Sequence, residues 1–246
     1  MLYKKTPIFV LVLLFLCVSL FLFFDISKAN NQSTEVLSRE ETITRATCLL
    51  GEKVKDFPFY VYKDADAGEN KFFPTGNMGD LSGTEINAFC KESPYTGPTC
   101  MKIVYKDKPE QIYGWAGLYW QYPPNNWGTI PKAYDLSGAT KLTFWARGKY
   151  GGEVINKFQI GGIAGKYRDS GVASIGPIIL PKKWHKYTIN LKKIDNFIIT
   201  GYEDKECWPF MDPLSRIIGG FCWATSLKTD NRQDITFYLD EVKFEK

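Results

Sequence analysis

The stretch KLTFWARG, residues 141–148, decides the fold class because its side chains alternate in chemical character. Successive side chains of an extended chain point to opposite sides. One side therefore carries Leu142, Phe144 and Ala146, and the other carries Thr143, Trp145 and Arg147. The pattern predicts a strand with one buried face and one outward face.

Strand-like segments recur from about Val54 onward, as short aromatic and β-branched runs between glycine, proline, asparagine and aspartate. Helical spacing of apolar residues is hard to find there. The predicted strands are 57–64, 99–106, 115–121, 141–148, 156–163, 184–191, 217–225 and 234–245. Eight such strands predict an all-β domain, a β-sandwich jelly roll over residues 53–246.

Length and charge restrict the function. The chain has 246 residues, which leaves room for one large domain, and its formal charge of +4 with scattered lysines argues against a nucleic-acid partner. No G-x-S-x-G motif and no readable pair of carboxylates occurs, and His185 is the single histidine. We therefore expect a noncatalytic protein without an organic cofactor, and keep glycoside hydrolysis as an alternative.

The N-terminus has the character of an export signal. Two lysines precede a predominantly apolar run over residues 8–24, which would be about 25 Å long as a helix. Residues 1–29 therefore predict one hydrophobic helix, either a signal peptide or a membrane anchor; small residues at Ser27 and Ala29 favour cleavage. Residues 30–52 are polar and predict a linker. The domain would then be extracytoplasmic, either secreted or periplasmic, or held at the membrane by the apolar run.

Export would place the cysteines in an oxidising compartment, where thiols tend to pair. Cys90 and Cys100 flank a turn-rich segment, and Cys207 precedes Cys222 by a similar interval. We expect these two disulfides, although spacing alone does not fix the connectivity. Cys48 is then left free or available for an intermolecular bridge.

Three stretches resemble galactose-binding-like jelly rolls, a group that includes bacterial carbohydrate-binding modules attached to glucanases. They are DLSGATKLTFWARG (135–148), the pattern W-x-x-Y-T-I-x-L from Trp184 to Leu191, and the last strand with Asp240. The resemblance covers about Thr99 to Lys246. An upstream segment, YVYKDADAGENKFFPTGNMGD, resembles the lead strand of an exported subgroup and implies no activity. The same fold also occurs in interaction domains of the complex I intermediate-associated type, so it does not decide function.

The resemblance implies noncatalytic binding of a poly- or oligosaccharide, in which flat rings meet the apolar faces of sugars and polar groups bind hydroxyls. Residues of these kinds on outward faces, or in the loop PPNNWGT, are Trp115, Tyr119, Trp127, Trp145, Arg147 and Gln159. Packing is the alternative for each ring; Trp120, Trp184 and Trp223 are assigned to packing. A second hypothesis is a cell-surface interaction or assembly domain that binds a protein partner with the same face.

The resemblance also implies a structural calcium ion near the first and last strands. Oxygen ligands for it are available at Asp64, Asp66, Glu69, Asn70 and Asp240. The spacing of the first four departs from an EF-hand loop, and an exposed acidic turn without a metal is the alternative.

Overall fold

The structure, a computed structural model, describes residues 50–196, 211–227 and 234–246. They belong to a compact unit that spans Leu49–Lys246. The predicted N-terminal helix and nearly all of the predicted linker lie outside the described residues, and the first strand already begins at Glu52. No helix within the described ranges is long and apolar enough to cross a membrane.

Two antiparallel sheets form the domain. Sheet I has the order β14-β11-β10-β15-β6-β3 and sheet II the order β13-β8-β16-β5-β4. The strands of sheet I are β3 (Phe73–Gly79), β6 (Trp115–Gln121), β10 (Lys157–Gly161), β11 (Gly171–Ile175), β14 (Asp195–Asn196) and β15 (Gly219–Ser226). Those of sheet II are β4 (Thr84–Cys90), β5 (Cys100–Lys106), β8 (Lys141–Gly148), β13 (His185–Asn190) and β16 (Asp234–Glu245), and β2 (Phe59–Tyr62) pairs with β16.

Two short pairs of strands and a helical turn lie outside these sheets. β1 (Glu52–Lys53) pairs with β7 (Tyr134–Asp135) in parallel, and β9 (Glu153–Ile155) pairs with β12 (Ile178–Leu180) in antiparallel. One turn of 3-10 helix, Leu81–Gly83, connects β3 to β4.

The core lies between the two sheets, as the alternation in residues 141–148 predicts. Leu142, Phe144 and Ala146 are fully buried on β8. The ring of Phe144 meets two rings of sheet I, Phe158 at 4.7 Å and Phe221 at 5.1 Å between centroids. The all-β sandwich of jelly-roll type is therefore confirmed.

The eight predicted strands are all present, with ends that differ from the prediction by at most two residues. Four strands of the sheets, β3, β4, β11 and β14, were not predicted. β3 has the sequence FPTGNMG, whose proline and glycines disfavour a strand on propensity alone. It forms because it pairs with β6 at the edge of sheet I, and this long-range contact overrides its propensity.

Candidate functional site

The outer face of sheet I, the side away from the core, is the candidate site. The register places Met78, Gly117, Ala224 and Lys157 in one row across β3, β6, β15 and β10. Gly117 and Ala224 project little, and the end of the Met78 side chain lies over Gly117. The surface between Met78 and Lys157 is therefore low. Trp115 lies on the same face two residues before Gly117 and is 37% exposed. We call this open surface, which has the indole ring at one end, the groove.

A second row of this face is covered. Tyr119, Cys222 and Gln159 are neighbours across β6, β15 and β10, with exposed fractions of 5%, 1% and 7%. Ala133 and Ile163, from two loops, pack in the same cluster. The Tyr119 hydroxyl accepts a bond from Gln159 Nε2 and donates to a backbone carbonyl 3.0 Å away. Alternation predicted the face of Tyr119 and Gln159 correctly, but the loops that cover it leave neither side chain open to a ligand.

Trp127 extends from the first covering loop, between β6 and β7. The Asn126 amide organises this loop, because its Oδ1 accepts three backbone N–H groups and its Nδ2 donates to three backbone carbonyls. Trp127 is 40% exposed, and its ring meets the Tyr119 ring edge-on with centroids 6.1 Å apart. Trp115 and Tyr119 are about 13 Å apart along β6. Trp115 and Trp127 therefore mark the two ends of the groove.

The carboxylate of Asp169 anchors the second covering loop, residues 162–168, through hydrogen bonds to backbone N–H groups. This fully buried group accepts the N–H of Ile163 at 2.8 Å and the N–H groups of Ile218 and Gly219. Burial raises the pKa of Asp169 to about 7, although these bonds oppose the rise. In the sequence Asp169 has the appearance of an exposed turn residue, since no spacing marks it as buried.

Residues 112–114, directly before Trp115, form an exposed loop that we call the lip, and this feature was not predicted. Asp80 accepts the N–H of Ile112 and of Tyr113, each at 3.0 Å, and that of Gly114. Burial opposes ionisation of Asp80, but these bonds hold its pKa below the ordinary value. The loop fixed in this way presents Ile112 and Tyr113 with 86% and 63% of their surface exposed. Tyr113 thus adds a third exposed ring near the groove.

Trp145 and Arg147 lie on the outer face of sheet II. Tyr95 stacks on Trp145 with centroids 3.7 Å apart. The Arg147 guanidinium lies 3.7 Å from the centroid of the Tyr238 ring and donates to the Glu92 carbonyl at 2.6 Å. The outer faces of a sandwich point in opposite directions. Strand pairing therefore divides the six predicted ligand residues between the two sheets, with Trp145 and Arg147 on sheet II.

Sheet II also has a groove on its outer face, with a volume of about 480 Å³. Two of its lysines are already paired, Lys106 with Glu85 at 2.8 Å and Lys102 with Glu92 at 2.5 Å. No aromatic ring lines it. Its chemistry is therefore less suited to a flat sugar than that of sheet I.

Two of the predicted calcium ligands bind protein groups of one loop. Asp64 Oδ1 accepts bonds from the backbone N–H and the hydroxyl of Thr99, at 3.0 and 3.1 Å. Asp240 Oδ2 accepts the N–H of Tyr95 at 2.9 Å and of Thr96 at 3.3 Å. Both carboxylates therefore hold the loop over sheet II, residues 91–99.

The other three predicted ligands do not join them. Glu69 pairs with Lys63 at 2.7 Å, the Asn70 side chain bonds to the backbone of its own turn, and Asp66 is exposed. Among the described residues, no group of three or more histidine, cysteine, aspartate or glutamate side chains could hold a metal ion. Calcium binding stays a prediction, and the proposals below do not depend on calcium.

One of the two predicted disulfides, between Cys90 and Cys100, joins residues that the structure describes. Cys90 and Cys100 are directly opposed on β4 and β5, and both are buried free thiols. Opposed residues of an antiparallel pair have Cα atoms about 4.5–5.5 Å apart, a separation that suits a disulfide. Burial raises the pKa of the Cys222 thiol to about 12. Its predicted partner Cys207 lies outside the described residues, as does Cys48. Cys90 and Cys100 are in position to pair but are not bonded in this structure, so both disulfides stay predictions.

The fold and the open groove together define a class of protein, an all-β jelly roll that presents exposed rings on one outer sheet face. Solved structures of the same fold include carbohydrate-binding modules. The family 30 module of a cellulosomal cellulase of Clostridium thermocellum is 15% identical, with a TM-score of 0.50, and the match covers 78% of this chain and 98% of the module.

Two further structures are similar over much of this chain. The family 11 module of a cellulosomal cellulase of Clostridium thermocellum is 16% identical with a TM-score of 0.44, covering 74% of this chain and 92% of the module. A β-1,2-glucanase from Parabacteroides distasonis is 13% identical with a TM-score of 0.44, covering 77% of this chain and 25% of the enzyme. No protein-family model and no curated protein matches the chain. At these identities the comparison shows the fold alone.

Proposed function

We propose that this protein binds a poly- or oligosaccharide, without catalysis, on the outer face of sheet I. The observation that carries the proposal is Trp115, a large ring held 37% exposed on a strand beside the low surface of Gly117 and Ala224. An exposed indole offers a flat apolar surface to the C–H face of a sugar. The jelly roll shared with carbohydrate-binding modules supports this function as an analogy of fold.

The groove supplies further contacts. Trp127 stands at its far end and Tyr113 on its near lip, so that up to three rings can meet successive sugar units. Ser174 is exposed on β11 beside the covered row and offers a hydroxyl to a ligand. The role of Tyr119 and Gln159 is to hold the covering loops in place. The apolar run over residues 8–24 supports a location outside the cytoplasm for this face.

Affinity electrophoresis tests the proposal. The full chain, kept soluble in a detergent without a sugar headgroup, is run through gels that contain single polysaccharides: β-glucans, xylan, mannan and pectins. We expect at least one to retard the wild type and Trp115→Ala to weaken that binding about tenfold. Tyr150→Ala, which removes a 59% exposed ring from the turn after β8, is the control and should bind as the wild type does. A folded chain that no polysaccharide retards contradicts the proposal.

A protein partner is the second candidate, and Ile112 is the observation that favours it. This aliphatic side chain is 86% exposed on the lip, where it suits an apolar interface better than a sugar hydroxyl. Under this alternative, Ile112→Ser abolishes co-purification of a specific envelope protein, and no polysaccharide gel retards the chain.

A further inference from the structure

Lys157 is a charged group at the edge of the groove. It is exposed on β10, directly opposite Ala224, which in turn lies opposite Gly117. From the strand spacings, its Cα atom is about 12 Å from that of Trp115. The two long side chains can therefore reach toward each other across the groove. The charge of Lys157 also reaches Cys222 in the covered row of the same face, where it opposes the rise that burial causes in the pKa of that thiol.

The rest of this face is uncharged on the three strands that carry the groove and the covered row. The other outer-face residues of β6, β15 and β10 are Trp115, Gly117, Tyr119, Gln121, Gly219, Cys222, Ala224, Ser226, Gln159 and Gly161. Lys157 thus supplies the charge of these three strands on this side. A cation among uncharged strand residues favours the approach of an anionic ligand.

No acid in the described part of the chain neutralises Lys157. The ion pairs among these residues join other lysines to their acids. The register places Asp195 on the same face, four residues along and two strands away, with Val172 between them. That separation is about 16 Å, beyond the screening length of about 8 Å at physiological salt.

We infer that the ligand is an acidic polysaccharide, in which a sugar carboxylate binds the Lys157 ammonium while a neighbouring ring stacks on Trp115. This inference rests on the proposed function and deepens it. A carboxylate accepts a charge-assisted bond from lysine, which is about twice as strong as a bond between neutral groups. A neutral sugar can still stack on the indole, but it leaves the cation without a counterion. Selectivity for uronic acids over neutral sugars follows.

A matched pair of polymers isolates the charge. The full chain is titrated with polygalacturonate and with the same backbone fully methyl-esterified, which keeps the sugar rings and removes the carboxylates. The variants are Lys157→Gln, Lys157→Arg and Lys183→Gln. Lys183 is an exposed lysine in the turn before β13 of sheet II, so its substitution removes one charge away from the groove.

The expected result is about tenfold tighter binding of the free acid by the wild type, with higher salt reducing the preference. Lys157→Gln should bind both polymers alike, Lys157→Arg should retain the preference, and Lys183→Gln should match the wild type. Equal binding of the two polymers overturns the inference, and so does an equal loss in both glutamine variants, which would mean attraction by net charge. Retardation by neutral glucans alone overturns the inference of an acidic ligand but leaves the proposed function standing. If no polysaccharide retards the chain, both the inference and the proposed function are wrong.

Discussion

The pH dependence of folding stability tests the role of Asp169 in the covering loop. The side chain is fully buried, and burial raises its pKa from the ordinary 3.8 to about 7. A carboxyl whose pKa is higher in the folded than in the unfolded state binds more protons when folded, at every pH between the two values. The free energy of unfolding therefore decreases as the pH rises from about 4 to about 7, and this contribution is level above that range.

The size of the decrease follows from the same two values. They differ by about three, and one pKa unit corresponds to about 1.4 kcal/mol, so Asp169 accounts for a decrease of at most about 4 kcal/mol. Asp169→Asn keeps the shape of the side chain and does not titrate, so its stability should decrease much less over this range. Burial also raises the pKa of Asp240 to about 7, which leaves a remaining decrease of the same sign.

The assay is urea unfolding of the full chain, followed by tryptophan fluorescence at pH 4.5, 6.0 and 7.5. Asp66→Asn, which changes an exposed carboxyl, is the control and should follow the wild type. If the curves for Asp169→Asn and the wild type run parallel, Asp169 is not the titrating group. If the stability of the wild type increases through this range, the sign of the reasoning is wrong.

Three further predictions follow from the site. Trp115→Ala should leave the urea midpoint unchanged, whereas Tyr119→Ala should cost about 3 kcal/mol because it empties a buried site; equal midpoints would contradict the burial of Tyr119. Asp80→Asn should speed hydrogen exchange at the amides of residues 112–114 and weaken polysaccharide binding, while unchanged exchange would refute the anchoring role of Asp80. Oxidised chain should yield a peptide pair linked through Cys90 and Cys100 after digestion without reductant; full alkylation of both thiols before reduction would exclude that disulfide.

Local alternation predicted which side of a strand each residue faces. The strands over residues 115–121 and 141–148 have the predicted bounds, and their apolar sides are buried. Alternation did not predict exposure, because it does not show that the loops after β6 and β10 fold back over Tyr119 and Gln159. The anchor Asn126 bonds to backbone groups of its own loop, as an ordinary turn residue does. The anchor Asp169 also bonds to the N–H groups of Ile218 and Gly219, which only the fold brings near.

The sequence also did not show which of the two sheets each strand joins. Trp115 and Trp145 both face outward, and nothing local separates them. Trp115 lies on β6, which pairs with β15 and β3, and Trp145 on β8, which pairs with β16 and β13. These pairings involve residues far apart in the chain, so the division of the predicted ligand residues between two sheets emerges only from the topology.

The most direct test of the proposed sugar-binding face is an NMR titration of the indole N–H signals with the polysaccharide fragment that binds in the gels. Each signal is assigned by single Trp→Phe substitutions. Binding on sheet I predicts that the signals of Trp115 and Trp127 move with saturation while those of the buried Trp120 and Trp223 stay in place. Movement confined to the Trp145 and Trp184 signals would place the ligand near sheet II and contradict the proposed face.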